Sequence, residues 1–252
     1  MFVEIALTAG IACELAPLLD ALAPELDPDD ADTAVFYSIS NCQEGLKGIS
    51  FGNFLLKQVA EDLVRDTPSL KTFVTLSPAP SFARWLDRAL ATEGDGLVSA
   101  EQREVLARLR DPRWVEVAAK DGHGAEGLKS TLLSLAAHYF LVAKSADDRP
   151  VDPVARFHLG NGARLERLNW LGDTSERGLR EGHGLMVNYC YDLGEIERNH
   201  EAYAQDGTVA ASRAVRALLK SQPKPKGLSS VPDLLALPGV SKTKKARRPA
   251  PE

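Results

Sequence analysis

Five segments of the chain carry the hydrophobic pattern of β-strands. Phe2–Thr8 alternates apolar and polar residues, as a half-buried strand does. Thr33–Ser40 is instead rich in β-branched and aromatic residues, which pack well on a pleated surface. The two prolines of Ser77-Pro-Ala-Pro80 are expected to end the pairing of the third strand. The predicted strands are Phe2–Thr8, Thr33–Ser40, Lys71–Leu76, Ala163–Leu171 and Gly184–Leu193.

A different spacing, with apolar residues three and four positions apart, predicts helices. The clearest case is Asn53–Asp66, where Asn53 is the expected N-cap. No strand pattern interrupts the chain from about 82 to 147, so we interpret this region as a helical insertion. The predicted helices are Glu14–Leu22, Asn53–Asp66, Phe82–Ala91, Ala100–Leu109, Ala125–Lys144, Pro153–His158 and Gly207–Leu219.

The order of these elements predicts the fold class. A strand, a glycine-containing turn, a helix and a second strand follow one another, which is typical of α/β domains. The 252 residues suffice for one sizeable domain or two small ones. With 44% hydrophobic and 26% charged residues, the composition excludes collagen-like, disulfide-scaffold and wholly disordered chains.

The formal charge of −5 combines two unlike parts of the chain. Residues 220–252 hold eight basic and two acidic residues, a charge of +6, which leaves 22 basic and 33 acidic residues, or −11, for the remainder. Six of the 15 prolines also fall in this tail, so we expect it to be disordered. Its charge is compatible with contact to nucleic acid, but we interpret it as a solvated tail and expect no nucleic-acid partner.

The N-terminus and the cysteines indicate a cytoplasmic protein. Glu4 and Glu14 interrupt the apolar start, and no Lys or Arg precedes Lys47, so a signal peptide is not expected. No apolar run reaches the roughly 18–20 residues that a membrane span needs. The three cysteines are far apart and form no Cys-x-x-Cys pair, so neither a disulfide framework nor a metal site is expected.

The segment Gln43–Asn53 is a candidate phosphate-binding turn between a strand and a helix. Its glycines let backbone N–H groups point at a ligand, and the following helix N-terminus adds partial positive charge. Nine acidic residues precede Lys47, so the first cation of the chain lies inside this turn. The segment matches neither a Walker A loop nor a dinucleotide-binding glycine motif, and an ordinary glycine turn is equally compatible with it.

Ser77 and His158 are candidate site residues on separate elements. Ser77 follows a predicted strand, at the end where open α/β sheets bind ligands, although a helix N-cap is the simpler interpretation of this residue alone. No Gly-x-Ser-x-Gly elbow supports a hydrolase. His158 ends a short helix before Asn161-Gly162, where a structural histidine is the usual interpretation, and no His-Glu-x-x-His spacing makes it a metal ligand.

Taken together, several segments resemble the C-terminal catalytic part of malonyl-CoA decarboxylases. The resemblance runs from about Phe2 to Leu219, which implies a catalytic domain over 1–219 followed by a tail over 220–252. It implies a GNAT-like acyl-CoA-binding fold. It also implies a separate helical domain before Phe2, used in oligomer assembly, that is missing here. The segments are Phe36–Asn41, Gly48–Leu55, Phe73–Pro78, Pro153–Ala163, Leu168–Trp170 and Gly184–Tyr189.

The resemblance also implies roles for individual residues. Ser77 and His158 would be the catalytic pair, with His158 protonating the product carbon, and Tyr191 and Asn188 are further candidates. One motif departs from the family, which usually reads Ser-Pro-Ile-Pro-Gly-Phe where this chain has Ser77-Pro-Ala-Pro-Ser-Phe82. Ser81, which stands where the family has glycine, lacks the freedom of glycine at positive φ. The residues implied in CoA binding are Lys47, Gly48, Ile49, Ser50, Phe51, Gly52 and Asn53.

The reaction expected from this resemblance is the decarboxylation of malonyl-CoA to acetyl-CoA and CO2, in fatty-acid metabolism. No cofactor is expected, because the thioester carbonyl itself accepts the electron pair that the carboxylate leaves behind. A histidine with an ordinary pKa of about 6.5 suits the proton transfer. Two alternatives stay open: a GNAT-type acyltransferase, and a truncated remnant that binds CoA or a partner without turnover.

Overall fold

A mixed six-stranded sheet organises the computed structural model, which describes residues 2–24, 26–40, 52–92, 97–120 and 122–220. The first two strands match the sequence-predicted bounds residue for residue, because both carry an uninterrupted β pattern. The strands are β1 (Phe2–Thr8), β2 (Thr33–Ser40), β3 (Thr72–Thr75), β4 (Ser77–Pro78), β5 (Arg164–Asn169) and β6 (Met186–Cys190).

Helices follow or connect these strands. Short 3-10 turns at Pro28–Asp30 and Ala107–Arg110 add to them. The helices are α1 (Ala16–Leu19), α2 (Gly52–Asp66), α3 (Phe82–Ala91), α4 (Ala100–Leu106), α5 (Trp114–Lys120), α6 (Gly122–Leu141), α7 (Pro153–Gly160), α8 (Glu176–Gly182), α9 (Ile196–Asp206) and α10 (Arg213–Lys220).

The strand β6 is the centre of the sheet. On one side it pairs antiparallel with β5, and on the other with β3 and then with β4. β3 runs parallel to β2, with α2 between them in the chain, and β1 lies antiparallel to β2 at the edge. The parallel pairing of β2 and β3 ends at Phe36 and Thr75, after which the chain follows β6 alone. This separation of β2 from β4 opens the sheet beside Ser77.

The prediction that the prolines end the strand pairing at Ser77 is wrong. Ser77 pairs with Val187 and Pro78 with Met186, so the ladder continues for two residues beyond Leu76. Proline lacks an N–H group but keeps a carbonyl acceptor, so it is tolerated where a strand terminates. The consequence is that Ser77 is held by a strand and not by a loop.

Several helix predictions also need correction. The first helix is shorter than Glu14–Leu22, because Leu22 is 92% exposed and has no core to pack on. The helix α2 already includes Gly52, so Asn53 is a helical residue and not the N-cap. The last helix starts at Arg213, since Gly207 adopts φ +62° and caps α9 instead.

The three helices α5, α8 and α9 were not predicted from the sequence. The helix α5 has only seven residues, too few to display a clear apolar stripe. The helices α8 and α9 bury one residue each, Gly182 and Ile196. Hydrophobic periodicity therefore carries no signal for helices that pack through a single buried position.

The two faces of the sheet lie in different hydrophobic clusters. Phe36, Phe73 and Tyr189 point into the larger cluster, which also contains buried residues of α3, α6 and α7. Val74 and Met186 point to the opposite face, into a small cluster. This is the period-two alternation of a strand buried on both sides. In the predicted helical insertion, 82–147, every regular element that the structure describes is a helix up to Leu141, and these helices pack into the larger cluster.

Other features of the sequence are resolved in part. Among the described residues, no helix is both long enough and apolar enough to cross a membrane. Cys13 and Cys190 form no disulfide bond, and Cys42 lies outside the described residues. The tail that was expected to be disordered begins at Lys220, the last described residue, and 221–252 lie outside the described part.

Gly162→Ala is expected to lower the free energy of unfolding by about 2–4 kcal/mol. Gly162 has φ +76°, and a Cβ atom there would lie 2.2 Å from the Ile196 carbonyl oxygen, which is backbone and cannot move aside cheaply. Urea denaturation measures the change. The matched control is Gly127→Ala within α6, where no atom lies within 4 Å of the added methyl group and stability should hold or rise. Equal effects of the two substitutions would contradict this account of the turn.

Candidate active site

Ser77 and His158 meet in the interior of the protein. The Ser77 Oγ atom lies 3.0 Å from His158 Nε2, although the two residues are 81 positions apart in the chain. Ser77 belongs to β4, and His158 lies in the last turn of α7. Both residues are buried, with 6% and 3% of their surface exposed. A buried hydrogen bond between a hydroxyl and an imidazole is a typical acid–base pair.

The strand end, and not a helix cap, sets the position of Ser77. The Ser77 hydroxyl is 2.9 Å from Thr75 Oγ1, which also accepts a hydrogen bond of 3.2 Å from the Tyr189 backbone N–H. The residue before α3 is Ser81, and its side chain makes no capping hydrogen bond. Ser81 has φ −112°, so the serine at this position of the motif needs no glycine-like backbone. Thr75 is a site residue that the sequence reasoning missed.

Two tyrosines fix the imidazole ring of His158: Tyr189 in β6, and Tyr191 directly after it. The Tyr191 hydroxyl lies 2.8 Å from Nδ1, on the side of the ring opposite Ser77. The Tyr189 ring stacks on the imidazole with centroids 4.5 Å apart and an interplanar angle of 24°. Alternate residues of a strand share one face, which is why Tyr189 and Tyr191 both reach His158. The histidine is thus bonded through both nitrogens and covered on one ring face.

The hydrogen bonds can be assigned as a directed chain. With the Ser77 hydroxyl assigned as the donor to Thr75, Ser77 Oγ accepts from the Nε2–H group of His158. A neutral imidazole has one donor and one acceptor, which makes Nδ1 the acceptor for the Tyr191 hydroxyl. This tautomer is assigned from the hydrogen-bond network. It places the ring proton on the nitrogen that faces Ser77.

Burial changes the pKa values of His158 and Tyr191. Removal from water lowers the pKa of His158 to about 3, far below the ordinary value expected from the sequence. Burial also raises the pKa of the Tyr191 hydroxyl above its usual range, so this group stays protonated. Both groups are therefore neutral at pH 7 in the ligand-free protein. An imidazolium ion can form here only if an anion compensates its charge.

The structure brings Tyr191 to the pair but not Asn188. The Asn188 side chain is fully buried and points to the opposite face of β6, where its amide nitrogen donates to the carbonyl oxygens of Thr75 at 2.8 Å and Ala12 at 3.0 Å. Its amide oxygen accepts from Asn169 at 2.8 Å and Arg167 at 3.2 Å. Asn188 joins the strand that precedes Ser77 to the segment after β1.

The segment expected to bind CoA falls largely outside the described residues. Lys47, Gly48, Ile49, Ser50 and Phe51 are not described. Gly52 and Asn53 form the described start of α2.

A cavity of about 220 Å³ lies where β2 and β4 separate. Leu76 and Pro78, the neighbours of Ser77, line it, together with Tyr37 and Ala79. The polar residues Asp173, Arg177 and Glu181 lie at the α8 side of the same cavity. Across the described part of the chain, no cluster of three or more His, Cys, Asp or Glu side chains could hold a metal ion.

The fold and the site together define an α/β domain with a buried serine–histidine acid–base pair. The chain belongs to the family described as malonyl-CoA decarboxylase C-terminal domain, whose sequence model matches residues 1–229. The family resemblance drawn from the sequence motifs is thereby confirmed.

Curated relatives support the same assignment. Mitochondrial malonyl-CoA decarboxylase of Anser anser anser is 34% identical over 231 residues, which cover 85% of this chain and 46% of that protein. The protein of the same name from Rattus norvegicus is 32% identical over 235 residues, covering 85% of this chain and 48% of that protein. The chain thus spans about half the length of the curated relatives it matches.

Solved structures of malonyl-CoA decarboxylases share the fold of this chain. Malonyl-CoA decarboxylase from Rhodopseudomonas palustris is 55% identical with a TM-score of 0.81, over 86% of this chain and 48% of that one. The enzyme from Agrobacterium vitis is 58% identical with a TM-score of 0.80, over 86% of this chain and 52% of that one.

The buried neutral His158 is expected to make the protein acid-sensitive. Above pH 6.5 the imidazole is neutral in both folded and unfolded chains, and below that pH the unfolded chain takes up a proton that the folded chain excludes down to about pH 3. As the pH is lowered through this window, the free energy of unfolding should therefore decrease, by up to about 1.4 kcal/mol per pH unit from this residue.

Urea denaturation of the wild type and of His158→Gln between pH 7 and pH 4.5 measures this contribution. The variant should lose stability less steeply as the pH falls, whatever its stability at pH 7. Parallel curves for the two proteins would show that His158 does not titrate abnormally.

Proposed function

We propose that this chain catalyses the decarboxylation of malonyl-CoA to acetyl-CoA and CO2. The observation that carries the proposal is the buried contact of 3.0 Å between Ser77 Oγ and His158 Nε2, in a chain of this family. The relatives bear the name of that activity, and this chain corresponds to about half of their length. The described domain would therefore contain the residues that catalyse the reaction.

The substrate itself provides the electron sink of the reaction. The bond between the α-carbon and the carboxylate breaks, CO2 departs, and the electron pair passes into the thioester carbonyl as an enolate. No cofactor is needed for this step, because the thioester delocalises the charge. The protein has to orient the carboxylate, exclude water and supply a proton.

His158 supplies the proton in this proposal. The malonyl carboxylate beside the imidazole compensates a positive charge, so substrate binding raises the pKa of His158 and the ring takes up a proton from solvent. After CO2 has left, the Nε2–H proton passes to the α-carbon of the enolate, which leaves a neutral ring with its remaining proton on Nδ1. Proton exchange with solvent then restores the Nε2–H form. One proton is consumed in each turnover, which balances the reaction.

Ser77 and Tyr191 orient the reacting groups. When its proton turns from Thr75 to the ligand, the Ser77 hydroxyl, adjacent to Nε2, is placed to donate to the carboxylate or to the developing enolate oxygen. In the ligand-free chain Tyr191 holds Nδ1 and keeps the ring proton on the side of Ser77. Burial of all three side chains, none more than 6% exposed, provides the dry surroundings that favour release of neutral CO2.

The CoA moiety is proposed to bind along Lys47–Asn53. The support is chemical: the segment leads into the 15-residue helix α2, whose N-terminus carries partial positive charge, and Lys47 adds a cation for a phosphate group.

A cytoplasmic location is likewise proposed, since Cys13 and Cys190, which form no disulfide bond, fit a reducing compartment. Assembly into homo-oligomers through a preceding helical domain also remains a proposal.

The chain should convert malonyl-CoA to acetyl-CoA, and His158→Ala and Ser77→Ala should each lower kcat by about 10²–10⁴-fold. The loss follows from removal of the proton donor or of the hydroxyl beside it. Chromatography of the CoA thioesters measures both substrate and product. The control is Ser69→Ala, a surface serine whose hydroxyl donates to the Pro28 carbonyl oxygen at 3.2 Å, and it should keep wild-type activity.

Two results would overturn the proposed activity. One is a folded chain that turns over malonyl-CoA no faster than His158→Ala. The other is release of free CoA that depends on an added amine, which is the behaviour of an acyltransferase and not of a decarboxylase.

Tyr191→Phe should lower kcat by about tenfold or more while KM stays near the wild-type value. The phenyl ring keeps the packing, but the hydrogen bond that holds Nδ1 of His158 is lost. Steady-state kinetics measure the effect. The matched control is Tyr203→Phe, because the buried Tyr203 hydroxyl has no hydrogen-bond partner among the described residues. Equal kcat values for the two variants would remove Tyr191 from the mechanism.

A further inference from the structure

Asp152 is a buried carboxylate at the start of the helix that carries His158. Only 1% of its surface is exposed, and both of its oxygens are used. Oδ1 accepts hydrogen bonds of 2.9 Å from the backbone N–H groups of Val154 and Ala155, which makes Asp152 the N-cap of α7. Oδ2 accepts a hydrogen bond of 3.1 Å from the hydroxyl of Tyr139 on α6.

The cap controls the part of α7 that faces the site. Ala155 and His158 are three positions apart, so they lie on the same buried side of the helix. The N–H group of Ala155 is bound directly by the Asp152 carboxylate. A shift of this first turn therefore moves the His158 ring with it, since only about one and a half helical turns separate the cap from the histidine.

The other partner of the carboxylate controls the segment that carries Ser77. The Tyr139 ring packs against Phe82 with centroids 5.5 Å apart and against Trp85 with centroids 5.1 Å apart. Both belong to α3, which begins five residues after Ser77. One carboxylate is thus bonded directly to the helix that carries His158 and is linked, through the Tyr139 ring, to the helix that follows Ser77.

We infer that Asp152, through Tyr139, is a positioning residue that sets the distance between Ser77 Oγ and His158 Nε2. The inference rests on the proposed function for its kinetic consequences and on the hydrogen bonds for its structural ones. A carboxylate suits this task better than a serine cap, because its two oxygens accept in two directions at once. Tyr139 belongs to the helical insertion, so the insertion supports the site directly.

Asp152→Asn separates this link from the helix cap. Asparagine is as good an N-cap as aspartate, so the hydrogen bonds to Val154 and Ala155 are retained. An amide nitrogen in place of Oδ2 cannot accept the Tyr139 proton, so the charge-assisted bond between α7 and α6 is replaced by at most a weaker, reversed one from the amide to the tyrosine oxygen. Tyr139→Phe removes the same bond from the other side and keeps the ring that packs on α3.

The test combines steady-state kinetics with proton NMR of the His158 ring in the ligand-free chain. Asp152→Asn and Tyr139→Phe should each lower kcat about 10–100-fold with KM nearly unchanged, and the double variant should lose no more than either single variant. Each should also shift the Nε2–H signal, since that proton reports the distance to Ser77. The control is Ser99→Ala, which removes the cap of α4, and it should destabilise the protein without altering kcat or the signal.

The outcomes distinguish the positioning role from the proposed function. A wild-type chain without decarboxylase activity, whose Nε2–H signal still shifts in Asp152→Asn, would refute the proposed function and support the positioning role. An active chain in which neither substitution alters kcat or the signal beyond the Ser99→Ala control would overturn the positioning role. Additive losses in the double variant would also contradict it, because the two residues would then act separately.

Discussion

The removal of His158 from water is the constraint on which the site depends. An imidazole that is 3% exposed must find hydrogen-bond partners within the protein, and Ser77 and Tyr191 provide one for each nitrogen. The same burial keeps the ring neutral until an anion enters. A single physical fact therefore sets the position of the residue, its tautomer and the kind of ligand that would activate it.

The sheet makes this burial possible because β6 presents its residues alternately to two cores. On one face of the sheet, Tyr189 stacks on the His158 ring and Tyr191 bonds to its Nδ1 atom. On the other face, Asn188 bonds β6 to the neighbouring strand. The pairing of Ser77 with Val187 keeps the serine in line with the same strand. The reacting groups thus rest on paired backbone, which holds a short contact better than a loop does.

The sequence predicted the fold more fully than the site. Strands with an uninterrupted pattern, such as Phe2–Thr8, have the predicted bounds, whereas α9 was missed because it buries only Ile196. Ser77 and His158 were separate candidates from their local positions, and only the family resemblance paired them, since nothing local links residues 81 positions apart. Two residues were missed: Thr75, which contacts Ser77, and Tyr139, which contacts Asp152 on the His158 side. They gave no local signal, because their roles arise from tertiary contacts.

One signal in the sequence could have been used further. Asp152 before Pro153 is a helix start with a capping side chain and a proline at the first helical position, although its second partner was not visible. The lowered pKa of His158 was beyond the sequence, because burial depends on how α7 packs against β6. The charge of −11 on residues 1–219 likewise gave no hint of the anionic substrate that we propose.

The most direct test of the account is the protonation state of His158 with and without a malonyl thioester that cannot lose CO2. Nitrogen-15 NMR of the imidazole distinguishes the neutral ring from the imidazolium ion at pH 7. The account predicts a neutral ring with its proton on Nε2 in the free chain, and an imidazolium ion when the anionic thioester is bound. A ring that is charged without ligand, or that stays neutral with the thioester bound, would contradict it.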